Sequence, residues 1–416
     1  MMGKKNIYSH KHLCRWGILA IAVCFIMIFP LYGLYPFKNK YLPLMIMLIV
    51  SPFVALFGGY KPDKNLPILV VILALMFISG KIFHIGSFRI SSFIYTAAFF
   101  VFFLSFDVVT QKTAIPLQTF RGFLRFLILA YAIVLLIQQL EVLVGIDVPI
   151  NLTHFGGRDE NAFKLNSLAI EPSNLGMILP CVMFCYMKVE EIIRRETKYN
   201  PRHICKEDRT LWISFLYAML GCGAITSFFS IVVLTLYFVN KRNAKYIPII
   251  AATFTLAVVL VMKISPNINE RIRSLSTIDY TDAKQIVNVD ASSSVRIVPY
   301  IIYFHSLGMD SDTFFGHGMD ALETLSNTVI LTDERIANGD RVGANSLVNT
   351  FFDYGFICGL LFLFFILRNT TPKLLSYETL FYFLIYMILS MNHFVLWGFI
   401  FSMMTVKKYQ TIYKIR

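Results

Sequence analysis

The chain has 416 residues, of which 56% are hydrophobic and only 15% charged, with a formal net charge of +13. A soluble domain carries about a quarter charged residues, so the composition excludes an ordinary soluble enzyme of two or three domains. The positive charge does not point to nucleic acid, because Lys and Arg lie in short clusters between apolar runs, where they set membrane topology.

In chain order, the first apolar run covers 17–35 and follows Lys4, Lys5, Lys11 and Arg15. It is too long for the core of a signal peptide and lacks a small-residue cleavage site, so it reads as an uncleaved first span. Further runs follow at 41–58, 66–84, 91–109, 122–146, 173–189, 210–225, 227–239, 246–262, 346–367, 377–391 and 393–406. Together they predict an all-α polytopic membrane protein of about twelve spans in one membrane domain, 1–416. The spans are expected to be helices, since lipid cannot satisfy an open backbone. Pro30, Pro43, Pro52 and Pro180 fall inside them. The stretch 211–239 is long for one crossing, and Gly223, Thr226 and Ser227 offer a turn that divides it. A second short break is expected at 390–394.

Charge sets the orientation. With the N-terminus cytoplasmic, the inner segments hold 25 Lys and Arg and the short outer ones six. Both termini are then cytoplasmic. Two outer segments stand out: a shorter one, 147–172, and a large loop, 264–345, between the ninth and tenth spans. None of the seven cysteines falls in the outer loops, so no disulfide is expected there.

Ionisable residues within the spans are few: Asp107, Arg125, Glu141 and Asp353, with His393 near an outer boundary. Such residues mark proton or ion pathways when they form a relay. Their sparseness moves the chemistry to the outer surface. The shorter segment carries His154, Arg158, Asp159, Glu160 and Lys164 and meets the sixth span at Glu171-Pro172-Ser173. That tripeptide suits a plain helix start, and an outward helix N-terminus is also an anion site.

In the large loop, Ser292 to Ser294 offer caps to a helix on which Arg296, Tyr300 and Tyr303 share a face. One Arg beside two Tyr suits a sugar phosphate. An amphipathic helix lying on the membrane is the alternative. Asp310, Asp312, His317 and Asp320 follow in DSDTFFGHGMD, readable as an oxygen-rich metal site or, more simply, as a solvated Gly-rich turn. His317 also qualifies as a general base, its ordinary pKa being near neutrality. The sequence has no P-loop, GxGxxG, HExxH or GxSxG.

The order of these motifs resembles the O-antigen polymerase (Wzy) and O-antigen ligase superfamily of bacterial inner-membrane proteins. The likeness runs from about residue 150 to 405. An Arg followed by EPS opens a middle span, AITSFFSIVVLTLYF joins two spans, and SSVRIVPYIIYFHSLG leads to FFGHGMD. The exit is ANSLVNTFFDYGFICGLLFLFFIL. The resemblance implies a glycosyltransferase that needs neither nucleotide sugar, metal nor other cofactor. Its substrate is an oligosaccharide unit on undecaprenyl pyrophosphate at the periplasmic face of the inner membrane. The resemblance further implies catalytic roles for Arg296, Glu171 and His317. Substrate contacts fall to Arg158, Arg341, Tyr300, Tyr303 and Asn345. The implied partners are the bilayer, the lipid-linked oligosaccharide and a chain-length-regulating membrane protein. The ligase branch carries a His before the exit Asn, where this chain has Ala344 before Asn345; that favours a polymerase. A flippase, with short loops and a polar central cavity, is the rival from another class.

Overall fold

The computed structural model describes residues 42–57, 65–83, 89–112, 115–145, 165–169, 171–239, 291–330, 347–386 and 393–413, with single positions 248 and 391. Among the described residues every regular element is a helix and none is a strand. They are α1 Leu42–Phe57, α2 Asn65–Ile78 with a π-helical extension Ser79–Phe83, α3 Ile90–Lys112, α4 Leu117–Val144, α5 Pro172–Arg194, α6 Arg202–Lys206 and α7 Arg209–Gly221. They continue with α8 Ile225–Leu236, α9 Ala291–Ser306, α10 Ser311–Phe315, α11 Ala321–Ile330, α12 Leu347–Thr370, α13 Tyr377–Tyr386 and α14 Phe394–Ile412. The expected first and ninth spans, 17–35 and 246–262, lie outside the described residues.

Among the described residues three helices are long and apolar enough to cross a membrane: Ile90–Gln111, Leu117–Val144 and Leu347–Thr370. The protein is therefore read as a membrane protein. Helix α5 is the axis of the bundle. Every residue from Leu175 to Ile192 is buried, as befits a helix apolar all round for most of its length. Around it the helices alternate in direction. Arg121 of α4 pairs with Glu190 near the end of α5, whereas Gln138 near the end of α4 bonds Ser167 just before α5. Helix α8 runs parallel to α5, with Thr226 on Ser173 and Tyr237 on Glu191. Helix α13 opposes α5, with Glu378 on Lys188. Helices α3, α12 and α14 run together, tied by Phe100–Phe362, Phe103–Phe365, Phe99–Trp397 and Phe106–Phe401. The bundle thus has a Glu171 end and a Glu190 end.

The stretch 211–239 is interrupted at Cys222–Ala224, where Gly223 takes φ +61°. Gly223 makes the turn alone; Thr226 and Ser227 belong to the first turn of α8. The reason is packing. Gly176 of α5 lets α8 approach so closely that a Cβ there would lie 2.6 Å from Ser227 Oγ and 2.7 Å from its backbone N. Small residues permit such contact in membrane helices, where apolar burial alone gives little attraction. Helix α4 starts at Leu117, before the expected 122, which brings Arg121 into its first turns. Helix α9 starts at Ala291, so Ser292 to Ser294 sit in its first turn rather than at its cap.

The Glu190 end carries a buried ionic network. Lys188 lies 2.7 Å from Glu191 and 2.5 Å from Glu378. Glu190, fully buried, is held by Arg121 and by Arg194 at 2.8 Å. Asp208 accepts from the Tyr186 and Tyr199 hydroxyls, both at 2.7 Å. Tyr237 donates to Glu191 and accepts from the backbone N–H of Tyr199. Charges out of water persist only with such full pairing.

Gly176→Val should lower stability by about 1–3 kcal/mol through overpacking, read as thermal unfolding in detergent. Gly122→Ala, where nothing lies within 4 Å of the added Cβ, should be neutral or slightly stabilising. Lys188→Met should cost about 3–5 kcal/mol by leaving two buried carboxylates unpaired, and adding Glu191→Gln and Glu378→Gln should recover part of the loss in the same assay.

Candidate functional site

The Glu171 end is built from helix starts and from the segment 291–330 docked on them. Helix α12 contains a sharp break at Gly355, which adopts φ +80°, ψ +169°. The break frees carbonyls that a straight helix would use, and the loop takes them up. His317 N–H donates to Phe352 O at 2.9 Å and Gly318 N–H to Asp353 O at 3.0 Å. Ser79 Oγ also donates to Asp353 O, at 2.8 Å. The approach is backbone to backbone. A Cβ on Gly316 would lie 2.3 Å from Asp353 O, and one on Gly355 would lie 2.3 Å from Phe314 O. Only glycine at both positions permits this crossing. Gly316, Gly318 and Met319 are buried, so the Gly-rich turn expected to be solvated is packed, because its missing side chains let it enter the break.

Carboxylates serve the helix starts at this end. Asp353, inside α12, accepts at 2.9 Å from Leu322 N–H in the first turn of α11. A residue from a span thus caps a helix of the loop. Asp320 turns to α3, accepting from Ser92 Oγ at 2.5 Å and pairing with Arg89 at 3.2 Å. Asp310 caps α10 through Thr313 N–H at 2.9 Å, and that hydrogen bond holds its carboxyl below the usual range. Asp310, Asp312, His317 and Asp320 therefore serve separate partners. Among the described residues no group of three or more His, Cys, Asp or Glu is placed to hold a metal.

His317, Tyr300 and Tyr303 converge on Phe352. The His317 ring stacks on that of Phe352 at 4.0 Å and 9°. Its Nδ1 lies 3.2 Å from Phe352 O; donation there leaves Nε2 as the basic nitrogen. Tyr300 and Tyr303 pack partly buried against Leu322, Val348 and Phe352. Burial pushes the Tyr300 phenol up to about 12, so it stays neutral. The two tyrosines thus flank a small core shared between the loop helices and α12, a role the spacing alone did not reveal.

Glu171 precedes Pro172 at the start of α5. Its exposed carboxylate accepts from Ser173 Oγ at 3.2 Å rather than from a backbone amide. The start of α8 lies directly beside it, through Thr226 Oγ1 on Ser173 O at 3.2 Å, so two helix N-termini open side by side in the same direction. Residues 165–169 fold into the bundle ahead of α5. Ser167, at φ +51°, donates Oγ to Tyr131 O at 2.6 Å, and its N–H donates to Gln138 Oε1 at 2.8 Å. Arg158, Arg341 and Asn345 lie outside the described residues, as does the side chain of Arg296, whose backbone belongs to α9. Sequence reasoning did not select Arg89, Ser92, Asp320 as an anchor, or Asp353 as a cap. The one available signal was an acid inside an otherwise apolar span.

The chain matches no protein-family model, no curated protein and no solved structure.

The cap predicts a contrast. Asp353→Ala should loosen α11 by about 1–2 kcal/mol and raise hydrogen exchange over 316–330. Asp353→Asn, which keeps an acceptor, should change that exchange little.

Proposed function

We propose that this chain is a polymerase of a repeat-unit surface polysaccharide, a glycosyltransferase with about twelve spans in the bacterial inner membrane. Its large loop faces the periplasm and its donor is an oligosaccharide chain on undecaprenyl pyrophosphate. The observation that carries this reading is the backbone contact between two segments bearing the family resemblance. Gly316-His317-Gly318 and Phe352-Asp353-Tyr354-Gly355 lock together at the end of the bundle that holds Glu171. The alternation of the described helices and the clustering of Lys and Arg at the opposite end support the sidedness.

The reaction needs three things. A hydroxyl on the incoming unit attacks C1 of the first sugar of the growing chain. The bond from C1 to the pyrophosphate oxygen breaks, and undecaprenyl pyrophosphate leaves with the electron pair. The hydroxyl proton passes to a base. His317, with Nδ1 donating to Phe352 O, presents a basic Nε2 for that proton, and Glu171 is the other acid–base candidate at this end. The leaving charge is met by arginine forks, for which Arg158, Arg296 and Arg341 are the candidates. The paired N-termini of α5 and α8 add their dipoles. A chain-length-regulating membrane protein is the partner this reaction implies.

Deletion should leave surface glycan carrying a single repeat unit. Normal chain lengths would refute the assignment, polymer stranded on the lipid carrier would mark a ligase, and single units trapped at the cytoplasmic face a flippase. In the complemented strain, Arg296→Ala and Arg158→Ala should each abolish polymer while the protein stays inserted. Lys at either position should rescue poorly, since a point charge cannot copy a fork.

A further inference from the structure

At the Glu190 end the charges of residues 190–209 are sorted by sign. Every acid in the segment turns inward or to a neighbour. Glu190 meets Arg121 and Arg194, Glu191 meets Lys188, and Glu196 meets His203. Glu207 pairs with Arg194 at 2.5 Å, and Asp208 is buried against Tyr186 and Tyr199. Lys198 donates to Val239 O at 3.3 Å and lies over the Tyr237 ring, which leaves Arg195, Arg202, Lys206 and Arg209. All four are exposed and make no ion pair among the described residues.

Their scaffold is firm. Asp208 N–H donates to His203 O at 2.9 Å, Arg194 lies 3.1 Å from His203 Nδ1, and Ile204 packs on the core. Helix α6 therefore cannot turn its two cations inward. Their depth is set by α7. Ile213, Leu216 and Leu220 form an exposed apolar strip on that helix, and Arg209 lies four residues before Ile213 on the same face. One helical turn, about 5.4 Å, thus separates the last apolar residue of the strip from the first cation. A bilayer whose hydrocarbon edge meets Ile213 places its phosphates level with Arg209 and with α6 just beyond it. A soluble anionic partner has no use for that strip.

We propose that Arg202, Lys206 and Arg209, together with Arg195 at the C-cap of α5, form a binding patch for the phosphodiester headgroups of anionic phospholipids. The inference rests on the membrane reading alone and is independent of the glycosyltransferase assignment. An anionic headgroup supplies the counter-charge that the segment's own acids, each already held by another partner, do not.

The test uses the purified full-length protein in detergent, titrated with phosphatidylglycerol or phosphatidylcholine. Bound lipid is counted by native mass spectrometry and thermal unfolding is followed in parallel. Phosphatidylglycerol should bind and stabilise, phosphatidylcholine should not, and added salt should weaken the effect. R202Q/K206Q/R209Q should bind phosphatidylglycerol more weakly by roughly fivefold per charge removed, on the order of a hundredfold in all. R202K/R209K should bind nearly as wild type, because attraction to a headgroup layer depends on charge rather than on the fork. Should the triple variant fold poorly, Arg209→Gln alone carries the comparison. Equal binding of both lipids, an unaffected Gln variant, or full displacement by inorganic phosphate would each overturn the proposal.

Discussion

The fold depends on the fact that α5 carries charge into a place without water. Lys188, Glu190 and Glu191 are buried on a helix sheathed by others. An unpaired charge there would cost several kcal/mol. Arg194 pairs with Glu190 from α5 itself, and the other partners each come from a different element: Arg121 from α4, Asp208, on Tyr186, from the turn before α7, Tyr237 from the end of α8, and Glu378 from α13. Apolar contact between membrane helices tolerates sliding, because lipid is as apolar as the neighbouring helix. The ionic network does not tolerate it. Its directional bonds set the register of four elements against the central one.

The Glu171 end is joined by different means. There the segment 291–330 meets the neighbouring helices through main-chain groups, with glycine at both sides of the crossing and carboxylates reaching across to helix starts. Asp353 joins the two modes: its carbonyl receives the turn at 318 and its carboxylate caps α11. The loop's polar side chains are thereby offered on a fixed base, as the sugar-chain transfer we propose would require. The basic patch at the other end settles how deep that base sits relative to the headgroups.

Much of the architecture was legible in the sequence. The apolar runs marked most of the described helices to within about six residues, though not α6, α9, α10 or α11, and Gly223 marked the hairpin turn. The sequence grouped Tyr300 and Tyr303 with Arg296, and His317 with the Asp-rich turn; the structure stacks His317 on Phe352 and packs both tyrosines against the cluster to which Phe352 belongs. Their roles were less legible. The tyrosine spacing fitted a ligand platform and a packed helix face equally well, since both need one amphipathic side. Arg89 and Arg121 looked like topology-setting cations, because a charge count cannot tell a headgroup partner from a carboxylate distant in the chain.

The sequence by itself determined class, helix positions and the segregation of charge, because these follow from local hydropathy and from the cost of open backbone in lipid. Only the tertiary structure decided which charges face lipid and which are consumed inside. Lys188 and Arg209 look alike in a charge count, yet one is locked between Glu191 and Glu378 and the other is exposed at the foot of α7. Only the fold, likewise, brought the turn at 316–318 into the break at Gly355. The reason is the same in both cases. Pairing between residues distant in sequence is set by how helices cross, and that crossing is fixed by close backbone approach and directional bonds, neither of which leaves a periodic trace along the chain.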